Sequence, residues 1–421
     1  MKLISFITLL FFSSFLLGQV PVYQWGQAFG GDQQDMVFES TIDNNGFVYN
    51  VGFFSGTADF DPSNTVYNLT SNGLIDAFVQ KLTPSGDLVW AASFGGAGAD
   101  HATSIHVDNN NNVYLTGFFS GTIDFNPGVD TSFHSSNGMY DSFVLKLDEF
   151  GAFEWVKTFG GNLDDEGAKV YIDQTNVYVV GYFKNSMDLN PNIGLLNVSS
   201  NGGKDIYALK LNTNGDFIWG KTFGGQMEDQ PRSLIVNNSG VYISGFFKQT
   251  VDFDPSNGNV NVTSSGNKDV FILRLSLSGN YSWVKSFGNT FNDEAIDMDF
   301  DNSGNVLVAG YFFGNVDFNP NPVFSNVLNS TQSSQDAFVL KLDSNGDYIW
   351  AKNIGGSSYD CALGIDVDAI GNINYCGFFC GNNVDFDPSA ISTDLFSSNG
   401  NEDVFFSKLT SDGNYLTTKV L

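Results

Sequence analysis

Six tryptophans divide the chain at nearly equal intervals. Trp25, Trp90, Trp155, Trp219, Trp283 and Trp350 are spaced by 65, 65, 64, 64 and 67 residues, and each is followed at the same distance by "FGG", "FGN" or "IGG". A fixed period of this size marks a repeat architecture, in which each unit buries its core only against its neighbours. The 421 residues would otherwise suit about three ordinary domains. The period instead predicts a single domain over 19–421, made of six repeats of about 65 residues.

Turn residues subdivide each repeat. In the first, "MVFESTID" and "FVYNVGFF" flank the turn "NNG", a hairpin signal. A second hairpin joins "DAFVQKL" through "TPSGD" to the tryptophan strand. Both recur six times, so each repeat supplies four antiparallel strands, A to D. No segment carries a helical period. Strands B and C are apolar on both faces, as in "VYLTGFF" and "DSFVLKL", which requires a sheet with neighbours above and below. The expected fold is all-β, a six-bladed β-propeller of four-stranded antiparallel blades with long B–C insertions of about twenty residues. A solenoid meets the period too, but the four-stranded unit and the lack of capping repeats argue against it. A tryptophan strand at 22–30 and the segment "GNYLTTKVL" at 413–421 both offer a closing strand. The second lacks Trp, so the N-terminal strand is expected to seal the sixth blade.

The combination "GG-x(3)-D", "D-x-x-G-x-V-Y", "G-F-F", "D-A-F-V-x-K-L" and the tryptophan strand resembles the SBBP-type β-propeller repeat of exported bacterial proteins. The resemblance covers roughly residues 22–421. It implies fold and export, not an activity. That family is nominally seven-bladed, whereas six units are present here.

Forty-six acidic against 18 basic residues give a net charge of −28. Such a surface repels nucleic-acid phosphates and anionic lipid and attracts cations. The opening "MKLISFITLLFFSSFLLGQ" places one lysine before an apolar run that ends at small Gly18. It reads as a signal peptide over 1–18, too short and too poorly flanked for an anchor, so the mature chain is expected outside the cell or at its surface, without membrane insertion. Three cysteines, Cys361, Cys376 and Cys380, exclude a disulfide framework. They read as small core residues, and Cys361 with Cys380 is the pairing that geometry would permit.

Acids recur at three positions. The insertion phrase Asp-apolar-Asp/Asn-Pro gives Asp59/Asp61, Asp124/Asn126, Asp188/Asn190, Asp252/Asp254, Asp317/Asn319 and Asp385/Asp387. Strand C starts at Asp76, Asp141, Asp205, Asp269, Asp336 or Asp403, and the D–A crossing carries Asp35, Asp100, Asp165, Asp229, Asp293 or Asp360. Calcium takes six to eight oxygen ligands. One reading is therefore an ion in each insertion, held by Asp59, Asp61 and Asp76 and their equivalents. The other is that Asp and Asn cap turns by accepting backbone N–H bonds while Pro ends the strand, and this leads. The crossing acids read as pins for their own loops, with a cation-binding ring as the alternative.

Lys81, Lys146, Lys210, Arg274, Lys341 and Lys408 recur at the far end of strand C and are expected to pair with A–B turn acids such as Asp43 or Asp108. His101, His106 and His134 lack a zinc-binding spacing and read as packing residues. No nucleophile elbow or P-loop is present. The expected function is a non-catalytic binding or scaffold module for a protein or glycan, taken at the insertion-bearing face. A calcium-dependent adhesin and a polysaccharide hydrolase or lyase are the alternatives.

Overall fold

Two kinds of turn fold each repeat. At the A–B turn, Asp43 accepts the N–H groups of Asn45 and Phe47 on Oδ1, at 2.8 and 3.0 Å. Asp108, Asp301 and Asp368 do the same in their repeats. At the C–D turn a glycine with φ between 76° and 89° recurs as Gly86, Gly151, Gly215, Gly279, Gly346 and Gly413. Positive φ alone favours glycine there. Contact adds a second reason, because a Cβ on Gly151 would stand 3.1 Å from the Trp90 ring of the preceding repeat.

The computed structural model describes residues 24–421 except Asn257, Pro320, Pro322, Gln332, Ser333 and Ala390; the expected signal peptide lies outside the described residues. Strands A to D are Asp35–Ile42, Val48–Phe54, Asp76–Leu82 and Leu88–Phe94 in repeat 1, and His101–Val107, Val113–Phe119, Asp141–Leu147 and Phe153–Phe159 in repeat 2. Repeat 3 has Glu166–Ile172, Asn176–Asp188, Asn197–Asn212 and Phe217–Gly225; repeat 4 has Gln230–Asn237, Gly240–Phe247, Asp269–Leu275 and Tyr281–Phe287. Glu294–Phe300, Val306–Phe313, Gln335–Leu342 and Tyr348–Ile354 form repeat 5, and Cys361–Val367, Ile373–Phe379, Asp403–Leu409 and Tyr415–Val420 form repeat 6. The sheet order is A-B-C-D in every case, with antiparallel neighbours. No α-helix occurs among the described residues, and so none long and apolar enough to cross a membrane.

The chain condenses into two compact units, one ending at Thr222 and one spanning Phe223–Leu421. In the first, the core lies between successive sheets: Tyr49, Val51 and Val79 of repeat 1 pack with Leu115, Phe143 and Leu145 of repeat 2. Tyr114 and Val144 in turn meet Val179, Tyr207 and Leu209 of repeat 3. The second unit stacks repeat 4 on 5 and repeat 5 on 6 in the same way. Every residue of strands B and C in repeat 1 is buried, as strands covered on both faces must be.

Each insertion forms a small hairpin, Thr57–Asp59 with Asn68–Thr70 in repeat 1; in repeat 3 it continues strands B and C directly. It does not project from one end of the sheet. Tyr67 donates its hydroxyl to the Ala91 carbonyl on strand D at 3.2 Å. In repeat 3 the tip residue Asn192 reaches the C–D turn, donating to Gly215 O at 3.3 Å and accepting the Phe217 N–H at 2.6 Å. The insertion therefore lies along its own repeat rather than standing on a face. The apolar residue of the phrase is its anchor: Phe60, Phe125, Leu189, Phe253, Phe318 and Phe386 are all buried. Phe60 packs against Phe54, Phe78 and Phe29.

One sequence expectation is revised. The outer place of the sixth sheet is taken by the C-terminal strand Tyr415–Val420, paired with Asp403–Leu409, and not by the N-terminal segment. Thr417 stands opposite Lys408 where other repeats place Trp, and the ladder hydrogen bonds do not need the indole. At the N-terminal end, Gly30–Gly31 pairs instead with the first insertion, Gly30 with Asp59 and Gly31 with Ala58. The three cysteines are free thiols, in keeping with their reading as small packing residues, and the conditional Cys361–Cys380 pair is not formed.

Candidate functional site

The recurring acids of the insertions are tied up by backbone N–H groups. In all six repeats Oδ1 of the first insertion acid accepts two backbone N–H bonds. Asp59 takes those of Asp61 and Tyr67 at 3.0 and 2.8 Å, and Asp385 those of Asp387 and Asp394 at 3.1 and 3.0 Å. Asp124, Asp188, Asp252 and Asp317 repeat this. The second position, Asp61, Asn126, Asn190, Asp254, Asn319 or Asp387, accepts the N–H two residues on. That task needs an amide or carboxyl oxygen and no charge, which accounts for the exchange of Asp with Asn.

The strand-C acids Asp76, Asp141, Asp205, Asp269 and Asp336 are buried. Asp76 accepts the Asn72 N–H at 3.0 Å and lies against the crossing, where a Cβ on Gly95 would stand 2.4 Å from its carboxyl carbon. The structure thus separates Asp76 from Asp59 and Asp61 by role. Among the described residues no three His, Cys, Asp or Glu side chains are grouped so that they could hold a metal ion.

The crossing acids Asp100, Asp165, Asp229, Asp293 and Asp360 are buried. Asp165 accepts the Gly161 N–H at 2.5 Å and the Lys184 N–H at 3.2 Å, tying the crossing to the end of strand B. Asp100, Asp229, Asp293 and Asp360 do likewise. Burial pushes Asp165, Asp229, Asp293 and Asp360 up to about 7, and Asp100 up to about 6, against the opposing pull of those N–H bonds. Asp336 is raised to about 7 and Asp269 to about 6 by the same cause.

The cations join repeats. Lys341 and Lys408 pair with the A–B turn acids Asp301 and Asp368 at 2.8 and 2.6 Å, as the spacing predicts. Repeat 4 has Asn237 at that turn, and Arg274 binds the Ser239 carbonyl instead at 2.5 Å. Lys81, Lys146 and Lys210 lie over the rings of Tyr49, Tyr114 and Tyr178. The histidines pack against rings or a hydroxyl: His101 stacks on Phe118, His106 meets Tyr171, and His134 contacts Thr158 Oγ1 at 3.1 Å. Burial lowers His101 to about 4.

Where the repeats differ is more informative about function than where they agree. A β-bulge interrupts strand A of every repeat, for example between Val37 and Glu39 and between Ala295 and Asp297. The residue after it, Glu39, Ser104, Lys169, Ser233, Asp297 or Gly364, changes from repeat to repeat. Glu39 accepts the Ile105 N–H, Ser104 that of Val170, Ser233 that of Met298 and Asp297 that of Ile365. Lys169 pairs with Glu39. In repeats 4 and 5, buried Glu294 binds Arg232 and Lys268 at 2.5 and 3.1 Å and accepts the Tyr311 hydroxyl at 2.9 Å. Burial opposes its ionisation, but the two cations outweigh that and hold it low.

A second difference is an open cleft of about 460 Å³ on the outer side of repeats 1 and 2. Its walls are Tyr67 and Trp90 of repeat 1, the insertion Asn126–Asp130, and the turn Phe150–Phe153 of repeat 2. Two residues create it. Gly128 stands where repeat 3 has Asn192, the side chain that bridges insertion to turn there, and a Cβ on Gly128 would meet only Asn126. Phe150, 75% exposed, stands where the other repeats have Ser85, Asn214, Ser278, Asn345 and Asp412. Sequence reasoning sought a break in symmetry among acids and so passed over this one. Reading each column of the six repeats for an odd residue would have found it.

Stacked four-stranded antiparallel sheets, one per repeat, define a β-propeller-like repeat protein. The chain is 22% identical over 366 residues, 73% of its length, to the uncharacterized WD repeat-containing protein L264 of Acanthamoeba polyphaga mimivirus, of which it covers 26%. It is 25% identical over 203 residues, 48% of its length, to the regulatory protein FlaEY of Caulobacter vibrioides, of which it covers 20%. It therefore spans 26% or less of the curated relatives it matches. No protein-family model matches it.

Proposed function

We propose that this chain is an exported six-bladed β-propeller of the SBBP-like kind, acting as a non-catalytic binding or scaffold module for a protein or glycan. One observation carries the reading. The polar side chains common to all repeats are engaged by backbone N–H groups or by neighbouring repeats, whereas exposed apolar side chains recur at the insertion tips. Val129, Ile193, Val323 and Ile391 are the clearest, at 79% exposure or more. Apolar groups presented to solvent at repeated tips offer contact surface rather than chemistry. The weak likeness to a WD repeat-containing protein supports a scaffold role in the same sense.

The test is a protein and glycan array probed with the chain from residue 19 onward, run beside turnover assays on polysaccharides. Saturable binding without turnover is expected. Turnover abolished by one Asp substitution in a folded variant would overturn the non-catalytic reading. Binding that requires calcium would make the protein a calcium-dependent adhesin instead.

A further inference from the structure

We propose that the cleft between repeats 1 and 2 is a docking site for a short cationic peptide segment of a partner protein, one apolar side chain seated against Trp90, Phe150 and Phe153. The inference rests on the binding-module reading and names the site and the chemistry of its occupant.

The residues at the mouth of the cleft are particular to one repeat. A repeat array gives every equivalent position the same structural task, so a residue that departs from its column is released from that task. Gly128 and Phe150 depart together, on two different segments that face one space. Gly128 lacks the bridge that Asn192 makes between insertion and turn in repeat 3, and Phe150 adds an exposed ring at the border where five other repeats carry a polar turn residue. The turn gains no visible stability from Phe150, because Asp148 already caps it by accepting the Phe150 and Ala152 N–H groups. At about 460 Å³ the space falls within the range of small-ligand pockets, and it suits one or two side chains of an extended segment.

Charge selects the occupant. Asp130 is the one charged residue in the lining, and it is exposed. No cation lines the cleft, and the whole chain carries −28. A Lys or Arg flanking the apolar anchor would meet complementary potential and be steered towards it. A sugar is less well served. It needs several converging donors and acceptors, but Asn126 Oδ1 already accepts the Gly128 N–H at 2.8 Å and the Ala91 carbonyl already holds the Tyr67 hydroxyl. What remains is mainly aromatic wall, one carboxylate and the Asn126 amide nitrogen.

The variants come from the protein's own repeats, so each substituted residue already occurs at the equivalent place in a folded neighbour. Phe150→Ser takes the residue of repeats 1 and 4, and Gly128→Asn that of repeats 3 and 5. Binding of the amidated tripeptides Arg-Trp-Arg and Glu-Trp-Glu, and of cellohexaose, is measured by calorimetry on the full mature chain. The cationic peptide is expected to bind, weakly and less so as salt is raised, and the acidic one not to. Each variant should weaken that binding by about tenfold or more with an unchanged melting temperature, as loss of a central anchor does. Asp130→Asn should narrow the gap between the two peptides. Equal binding of both peptides, or binding indifferent to both variants, overturns the proposal. Cellohexaose binding that is lost in Phe150→Ser would make the cleft a glycan site instead. If an array partner binds the chain and keeps its affinity in both variants, the cleft assignment fails while the binding-module reading stands. Silence of array and peptides alike removes both.

Discussion

Lys341 and Trp350 donate to one acceptor, the carbonyl oxygen of Ser411 in the next repeat, at 2.8 and 3.4 Å. The two residues face each other across strands C and D. Lys81 and Trp90 share Glu149 O in the same way, and Arg274 and Trp283 share Ser344 O. Trp25 and Trp155 bind the matching carbonyls of Pro84 and Thr213. The tryptophan period thus reports a clasp between neighbours: an indole N–H and a cation grip the turn whose glycine lies under the indole ring.

The two donors differ in what their loss leaves behind. Trp350→Phe keeps the packing and leaves Lys341 on the carbonyl, so it should cost about 1 kcal/mol, the net worth of one hydrogen bond. Lys341→Met strands Asp301 in a site where both partners are only 7% exposed. Breaking such a pair from one side should cost about 3 kcal/mol. Urea denaturation orders the two, and equal midpoints would refute the division.

The buried crossing and strand-C acids set a pH dependence. Asp165, Asp229, Asp293, Asp336 and Asp360 have folded values near 7, against about 3.9 in an unfolded chain. A carboxyl raised on folding lends stability that is complete below the unfolded value and is lost as pH rises through the folded one. Glu294, Asp301 and Asp368 are held low and act oppositely, their contribution falling away only in acid near and below pH 4. The melting temperature should therefore peak near pH 4 and fall steadily by several degrees or more on the way to pH 8. A melting temperature that rises between those two values would contradict the assignment of buried, raised carboxyls.

The period, strand order and turn chemistry were legible because they are local and recur six times, so a chance match at one repeat is corrected by the rest. The pairing of Lys341 with Asp301 was legible for the same reason. The placement of the insertions was not: the phrase "DFDPSN" shows two acids and a turn, but that Phe60 dives into the core and folds the loop back along strand D is a tertiary fact. Strand A hid its own device too. The bulge before Glu39 or Asp297 leaves no mark in a sequence of alternating residues, although it aims those side chains at the next repeat. The cleft at Gly128 and Phe150 was written in the columns, but only a question about difference would have read it.

That placement inverts the ranking of residues within the phrase. Phe60 is buried among three other rings. Phe60→Ala should cost about 3 to 5 kcal/mol, the range for truncating a buried ring. Asp61→Asn should leave the midpoint nearly unchanged, since Asn fills the same place in repeats 2, 3 and 5 and accepts the same N–H bond. Denaturation midpoints compare them directly, and a larger loss from Asp61→Asn would mean the carboxylate has a task beyond the turn.

Calcium tests that further task in every repeat at once. In each corner the first acid takes two backbone N–H groups on one oxygen, and the second position takes a third, so the geometry is stable with no ion. An ion bound only by the folded state raises the melting temperature in proportion to its concentration over its dissociation constant. With the corners acting as turns, melting curves in millimolar calcium and in EDTA should superimpose. A calcium-dependent rise that disappears in a variant with Asp59 and Asp61 both changed to Asn would identify the corner as an ion site. A rise that persists in that variant would place the ion elsewhere.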